Sequence, residues 1–397
     1  MLSERILQVQ PSATLEITAQ ARAMRAAGLD VCSFAAGEPD FDTPAFIREA
    51  VKTALDQGKT RYGAAAGEMI LRQAIAQKLR QDNGLAYQPE QILVTNGCKQ
   101  AIYNLIQVMI QPGDEVLIPT PYWVSYPEMV RLAGGIPVFI TTAPATGYKL
   151  TPAQLAPAIT PRTRLLLLNS PNNPTGAVYR PEELLALAQE VLAHEDLWVI
   201  ADEIYEKLVY DQVEHVSIAA LGEAIAARTL VCNGFAKAYA MTGWRVGYAA
   251  GAREIINAAA NLQGHSTSNV CTFAQYGALA ALQGSQAELH RMREVFSQRR
   301  QVMAKALQAM PGLSLAQPEG AFYIWVDIRA TGLTSTQFCR QLLEQHQVAL
   351  VPGQAFGDDR HVRLSYATDM ATIEKGMARL AEYVAGLTPV SVGEGTR

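Results

Sequence analysis

Four side chains in the middle of the chain are of types that carry chemistry when brought together: Asp202, Tyr205, Lys237 and Arg245. A carboxylate, a phenol and an amine in one place can hold and move protons, and a guanidinium presents a fork of donors to an anion. Each has an ordinary explanation when taken singly. Asp202 follows the apolar run Leu197–Ala201, where an aspartate commonly serves as a turn or cap residue. Lys237 closes Gly234-Phe235-Ala236-Lys237, and a lone lysine there is usually solvated; Arg245, in Met241-Thr242-Gly243-Trp244-Arg245, is usually in a surface ion pair. Tyr205 lies three residues after Asp202 and points the same way if a helical turn begins there.

The elements that must position these residues are legible in the pattern around them. Short β-type runs occur at Gln91–Thr95, Glu115–Pro119, Pro137–Thr141, Arg164–Asn169, Leu197–Ala201, Thr229–Cys232 and Val246–Ala249. Leu165 to Leu168 is an apolar stretch of the length expected of a buried strand. Helical patterns lie between several of them, such as Lys99–Ile110 and Pro181–His194; the latter starts with Pro181, Glu182 and Glu183, which suits a helix N-terminus. The alternation predicts an α/β fold with a mainly parallel sheet flanked by helices. Ligands bind beyond the carboxyl ends of such strands. Polar clusters sit there: Asn96 to Lys99, Thr120 to Trp123, Asn169 to Gly176, Asp202 to Tyr205 and Asn233 to Lys237. Five on successive strands point to one site.

After about Gly284 the pattern changes to a long charged helix (Ser285 to about Met310), strand-like runs at Ala321–Asp327, Val348–Val351 and His361–Ser365, and a last helix from Met370 to about Ala385. This reads as a smaller α+β unit, with which an N-terminal helix over about Thr14–Ala27, ended by Gly28, could pack. The expected partition is a large domain over 45–284 and a small domain formed by 1–44 with 285–397.

Composition excludes several classes. The net charge is -4, without a basic stripe, so a nucleic-acid partner is not expected. No apolar run nears the roughly 18 residues of a membrane span, and the first ten residues lack a signal-peptide core. Five scattered cysteines without Cys-x-x-Cys suggest a reduced, cytoplasmic protein. The six histidines show no metal-ligand spacing, and His194 reads as a surface helix-end residue, so no metal is expected.

Taken together, the motifs resemble those of one family. The run Asn233-Gly234-Phe235-Ala236-Lys237 through Gly247 resembles the cofactor-lysine motif of class I aminotransferases, which depend on pyridoxal 5′-phosphate (PLP). Asn169 to Gly176, Asp202 to Tyr205, Gly37 to Asp40, Tyr122 to Glu128 and His361 to Ser365 are similar to further segments of that family, in the same order, from about Pro11 to Tyr383. The resemblance implies PLP fold type I, with Lys237 forming a Schiff base with PLP and then acting as the base. Asp202 would pair with the ring nitrogen, and Tyr205 and Asn173 with the ring 3-oxygen. Trp123 would stack on the ring. The phosphate would meet Arg245 and the turn Gly97, Cys98, Lys99 at a helix start. Tyr62 would reach the phosphate of a neighbouring subunit, implying a homodimer with shared sites. Gly37 would let backbone approach the substrate, and Arg363 would grip its α-carboxylate. The family commonly has Ser where this chain has Gly234, which removes a hydroxyl contact to the phosphate.

Within the family the chain looks most like the bacterial aspartate aminotransferase branch, where a Lys and a Thr at the positions of Lys99 and Thr14 help bind the distal carboxylate. Taken alone, Lys99 is a solvated helix-start residue and Thr14 an N-cap. Branch members that use prephenate tend to carry Lys at the position of Gln10, which lowers that substrate. The expected reaction is amino transfer from L-aspartate to 2-oxoglutarate. Competing readings are a prephenate or aromatic aminotransferase, a β-lyase of the same fold, and a regulator that uses the fold as a sensor; the last lacks a DNA-binding segment here.

Overall fold

The fold is taken from a computed structural model that describes residues 2–11 and 13–387. Ser12 of the segment Pro11 to Thr14, and the end of the expected small domain beyond 387, lie outside the described residues. Its strands, in chain order, are β1 Cys32–Ser33, β2 Ile92–Thr95, β3 Glu115–Thr120, β4 Ile136–Thr141, β5 Thr163–Asn169, β6 Trp198–Asp202, β7 Thr229–Gly234, β8 Gly247–Ala250, β9 Ser314–Leu315, β10 Tyr323–Asp327, β11 Val348–Ala349, β12 Val351–Pro352 and β13 His361–Ser365.

Seven of these form the central sheet in the order β2-β8-β7-β6-β5-β3-β4. All its pairings are parallel except those of β8 with β2 and β7. Every expected strand in this stretch appears, with ends moved by one or two residues. Side chains alternate across β5: Leu165 and Leu167 join one core, Leu166 and Leu168 the other. A strand buried on both faces has to be apolar throughout, which is why this run shows no polar alternation.

Helices cover both faces. Pro181–Leu192 begins as its sequence suggested: Pro181 occupies the first turn, and Glu183 accepts a hydrogen bond from the Arg180 amide at 2.7 Å. Its Leu184, Leu187 and Val191 pack into the core of Leu166 and Leu168. On the other face, Cys98–Met109 packs Ala101, Ile102, Leu105 and Ile106 against Leu165 and Leu167.

The C-terminal third forms a second, antiparallel sheet, β12-β13-β10-β9, beside the helices Ala287–Gln308, Ser335–His346 and Met370–Ala385. The N-terminal segment joins it: β1 pairs in parallel with β11, and the Phe34 amide bonds to Ala349 O at 2.9 Å. The helix Ala13–Ala26 runs before β1, and Gly28 follows it at φ 88°, the left-handed geometry expected of a helix-ending glycine. Thr14 lies inside the first turn of this helix, so it is not the residue before the helix that an N-cap reading requires.

Candidate active site

A cavity of about 490 Å³ opens beyond the carboxyl ends of β2, β5, β6 and β7. It is lined by Gly97, Cys98, Asn169, Asp202 and Lys237, each at or just after a strand end. The sequence-predicted residues Gly37, Lys99, Trp123, Asn173, Tyr205, Arg245, Arg363 and Thr14 line it too. Tyr62 does not. It is 93% exposed and sits in a separate hollow with Arg61, Asn269 and Thr272.

Lys237 follows β7 and is half-buried, its amine opening onto the cavity. The ammonium donates to Gly37 O. Burial first, then the guanidiniums of Arg363 and Arg245, bring the amine down to about 8, against the opposing charges of Glu38 and Asp202. Such an amine is neutral for part of the time near neutral pH, as a base requires.

Asp202 ends β6 and is buried. Its carboxylate accepts hydrogen bonds from the Tyr126 phenol at 2.7 Å, from the Ile204 amide at 3.3 Å and from the Cys98 thiol at 3.5 Å. Tyr205 and Tyr323 share a hydroxyl hydrogen bond of 2.9 Å at the cavity wall.

Arg363 stands on β13, within the second sheet, and reaches the cavity with 2% exposure. It donates to Asn173 Oδ1 at 3.0 Å and to Ala35 O at 2.9 Å, and its plane lies 4.3 Å from the Tyr323 ring centroid. Asn173 is itself fixed by a bond from its amide to Asn169 Oδ1, and Asn169 donates to Asp202 O. Arg363 Nε is buried without a hydrogen-bond partner among the described residues. A buried donor in that condition suits an incoming anion.

Two further cations border the cavity. Arg245 donates to Thr242 O and Asn96 O beside the first turn of the helix Cys98–Met109. Gly97 precedes that helix at φ 79°, a backbone conformation that favours glycine, and Arg245 Nη2 lies 2.6 Å from where a Cβ would stand. Lys99 lies 4.9 Å from the Trp123 ring centroid, its pKa lowered by burial and then by Arg245. Thr14, Thr18 and Arg22 recur every four residues on the Ala13–Ala26 helix, which therefore turns one face to the cavity.

The absent serine also has a structural reason. A Cβ at Gly234 would lie 2.9 Å from Gly247 Cα and 3.0 Å from Val246 O, so any side chain there requires the β7–β8 backbones to separate.

Sequence reasoning missed Tyr126, Tyr323, Glu38 and Arg22. Tyr126 lay within a quoted motif without a role, and Tyr323 inside a run that read as plain core strand. It also gave no sign that Glu203, Glu206 and His215 converge, with ligand-type atoms within 4.8 Å of one another. Glu206 is already occupied there: Lys78 forms an ion pair with it and Asn83 donates to it at 2.8 Å.

Comparison with known proteins agrees over nearly the whole length. The family model described as aminotransferase class I and II matches residues 30–380. The aspartate aminotransferase of Geobacillus stearothermophilus is 46% identical over 96% of this chain and 98% of its own. The aspartate/prephenate aminotransferase of Cereibacter sphaeroides is also 46% identical, over 98% of this chain and 99% of its own. Among solved structures, the Rhizobium meliloti aspartate aminotransferase superposes with a TM-score of 0.95 at 41% identity, covering 98% of this chain and 100% of that one. With the lysine, carboxylate and arginines gathered around one cavity, these relationships place the chain in the family of class I and II aminotransferases.

Proposed function

We propose that the chain is an aspartate aminotransferase that transfers the amino group reversibly between L-aspartate and 2-oxoglutarate. The observation that carries the reading is a cavity with a lowered-pKa amine at its centre and cations on its walls: Arg363 and Arg245, with Lys99 beside Trp123. The relatives support the substrate. One solved neighbour, the Thermus thermophilus aspartate aminotransferase with maleate, is 45% identical with a TM-score of 0.93, and maleate is a four-carbon dicarboxylate like oxaloacetate.

The residues present fit PLP. The start of the helix Cys98–Met109, just after Gly97, lies beside Arg245 and suits a phosphate. Asp202, Tyr205, Asn173 and Trp123 line the same cavity; the buried Asp202 carboxylate would pair with a ring nitrogen, Tyr205 and Asn173 would hydrogen-bond the ring oxygen, and Trp123 would stack on the ring. When bound, PLP supplies an aldehyde that condenses with amines and a ring that accepts the electron pair released at Cα. Lys237 then takes the proton from the substrate Cα. Arg363 holds the α-carboxylate, with Asn173 and Ala35 O fixing the guanidinium. Lys99 and Thr14 attract the distal carboxylate. Both half-reactions use one site, so the kinetics are ping-pong.

Three related readings stand on the same footing. The exposed Tyr62 supports a homodimer in which it reaches the partner's phosphate site. The five free cysteines support a reducing, cytoplasmic setting. Pairing of β1 with β11 supports a small domain built from 1–44 and 285–397.

Prephenate is the second reading, because relatives as similar as the Cereibacter sphaeroides enzyme carry that name. Rates with aspartate, prephenate, phenylalanine and cystathionine decide among these and a β-lyase. Lys99→Ser is expected to lower kcat/KM for aspartate relative to phenylalanine by about tenfold to somewhat over a hundredfold, the effect of one charge-assisted hydrogen bond. An unchanged ratio would remove Lys99 from substrate selection.

A further inference from the structure

Asp202 is an anion in a place that resists anions. Burial raises its affinity for a proton, and the charge of Glu203 adds to this. The Tyr126 phenol, the Ile204 amide and the Cys98 thiol act against it. Other groups around it are the Cys232 thiol, its register partner on β7, the Tyr205 phenol, and the Lys237 ammonium across the cavity.

Two of the donors come from outside the strand that carries Asp202. Tyr126 opens the helix Tyr126–Leu132, and its phenol meets Oδ2. Its ring is held edge-on by Trp123, at 5.3 Å between centroids. Cys98 opens the helix Cys98–Met109 and meets Oδ1. Burial, and then the negative charge of Asp202, keep both the phenol and the thiol protonated, so both remain donors. Neither oxygen is left to water alone.

In a low-dielectric site the pair formed by a carboxylate and a protonated ring nitrogen competes with its neutral counterpart, a carboxylic acid beside an unprotonated nitrogen. Moving the proton along that bond changes neither charge nor composition, so the balance depends on what else touches the carboxylate. Donors to the carboxylate favour the ionic form. We infer that Tyr126 and Cys98 are positioning residues which hold Asp202 ionised and so keep the proton on the cofactor's ring nitrogen. The inference rests on the reading of Asp202 as the partner of that nitrogen.

The test is the ¹⁵N chemical shift of the ring nitrogen in holoenzyme reconstituted with ¹⁵N-labelled PLP. Wild type, Tyr126→Phe, Cys98→Ala, Cys98→Ser and Asp202→Ala are compared at one pH. Tyr126→Phe removes a hydroxyl and keeps the ring, and is expected to shift the proton-sharing equilibrium about tenfold to a hundredfold toward the unprotonated nitrogen. Cys98→Ala moves it less, because a thiol is the weaker donor, and Cys98→Ser restores it. A purely structural role would lower thermal stability and leave the resonance in place. If Asp202→Ala moves the resonance and neither Tyr126→Phe nor Cys98→Ala does, the inference is overturned and the reading of Asp202 survives. If Asp202→Ala itself leaves the resonance unmoved, that reading fails and the inference with it. Should Tyr126→Phe fail to fold, the Cys98→Ala and Cys98→Ser pair decides alone.

Discussion

Asp202 and Glu203 are neighbours in the chain, yet they serve opposite sides of the molecule. Asp202 lines the cavity with Lys237, Lys99, Arg245 and Arg363, and among the described residues none of these four cations is in an ion pair with a carboxylate. Glu203 turns the other way, its Oε2 lying 3.4 Å from His215 Nε2, beside the ion pair of Glu206 with Lys78. Both groups are buried or partly so. On one side Glu206 is matched by Lys78 within the protein; on the other the cations are left for an anion from outside. Buried charge without an internal partner is costly, and its retention marks the side that works on a substrate.

The sharpest way to break this contrast is Lys237→Ala. Loss of the base should lower kcat by about 10²–10⁴-fold or more, with little change in stability, because the amine has no ionic partner to strand. Steady-state kinetics beside chemical denaturation check both halves. A collapse of stability would put Lys237 among the structural charges.

Glu206→Gln is the converse. It leaves the Lys78 ammonium, 10% exposed, without its carboxylate. A loss of about 3–5 kcal/mol is expected, with kcat per folded molecule retained. Acid titration sharpens this. Burial pushes the Glu206 carboxyl up, but Lys78, His215 and Lys207 outweigh it and hold it at about 2. A carboxyl lowered in this way stabilises the fold fully above its unfolded value of about 4.3, and that stability is lost as pH falls from there through about 2. Denaturant midpoints across this window should slope less in Glu206→Gln than in wild type.

The smallest effect concerns the Lys237 amine. In cofactor-free protein its reductive methylation should rise with pH through a midpoint of about 8, while an exposed lysine follows about 10.4. Glu38→Gln removes the largest charge that favours the ammonium, so the midpoint should move down. A midpoint near 10 would mean that the cavity does not desolvate the amine.

The same contrast shows what sequence can reveal. Strands and strand-end residues were legible because burial on both faces forces runs such as Leu165–Leu168, and ligand-facing residues must follow them. Lys237 and Asp202 taken singly read as a solvated lysine and a turn residue; only the resemblance of their short motifs to a known family singled them out, and the structure places both on the cavity. The antiparallel entry of β8 between β2 and β7 was not legible, since an apolar run has no direction. The helices Ala45–Asp56 and Met69–Asn83 were also passed over, although the first buries Ile47 and Ala54 in the ordinary way. Tyr126, 76 positions from Asp202, and the meeting of His215 with Glu203 depend on tertiary packing rather than spacing.

The bond from Arg363 to Ala35 O spans 328 positions, and β1 finds its partner only at Val348–Ala349. A ribosome releases the chain from the N-terminus, at roughly 5–20 residues per second. The central sheet, complete by Ala250, can close while the rest is still being made. The segment carrying Ala35 and Gly37 has no strand to join until the chain has grown from Ala250 to Ala349, roughly 5–20 seconds of synthesis. Through that interval the nascent protein holds Lys237 and Asp202 in a half-built site, and binding of an amino acid between two fixed arms has to wait for the last part of the message to be read.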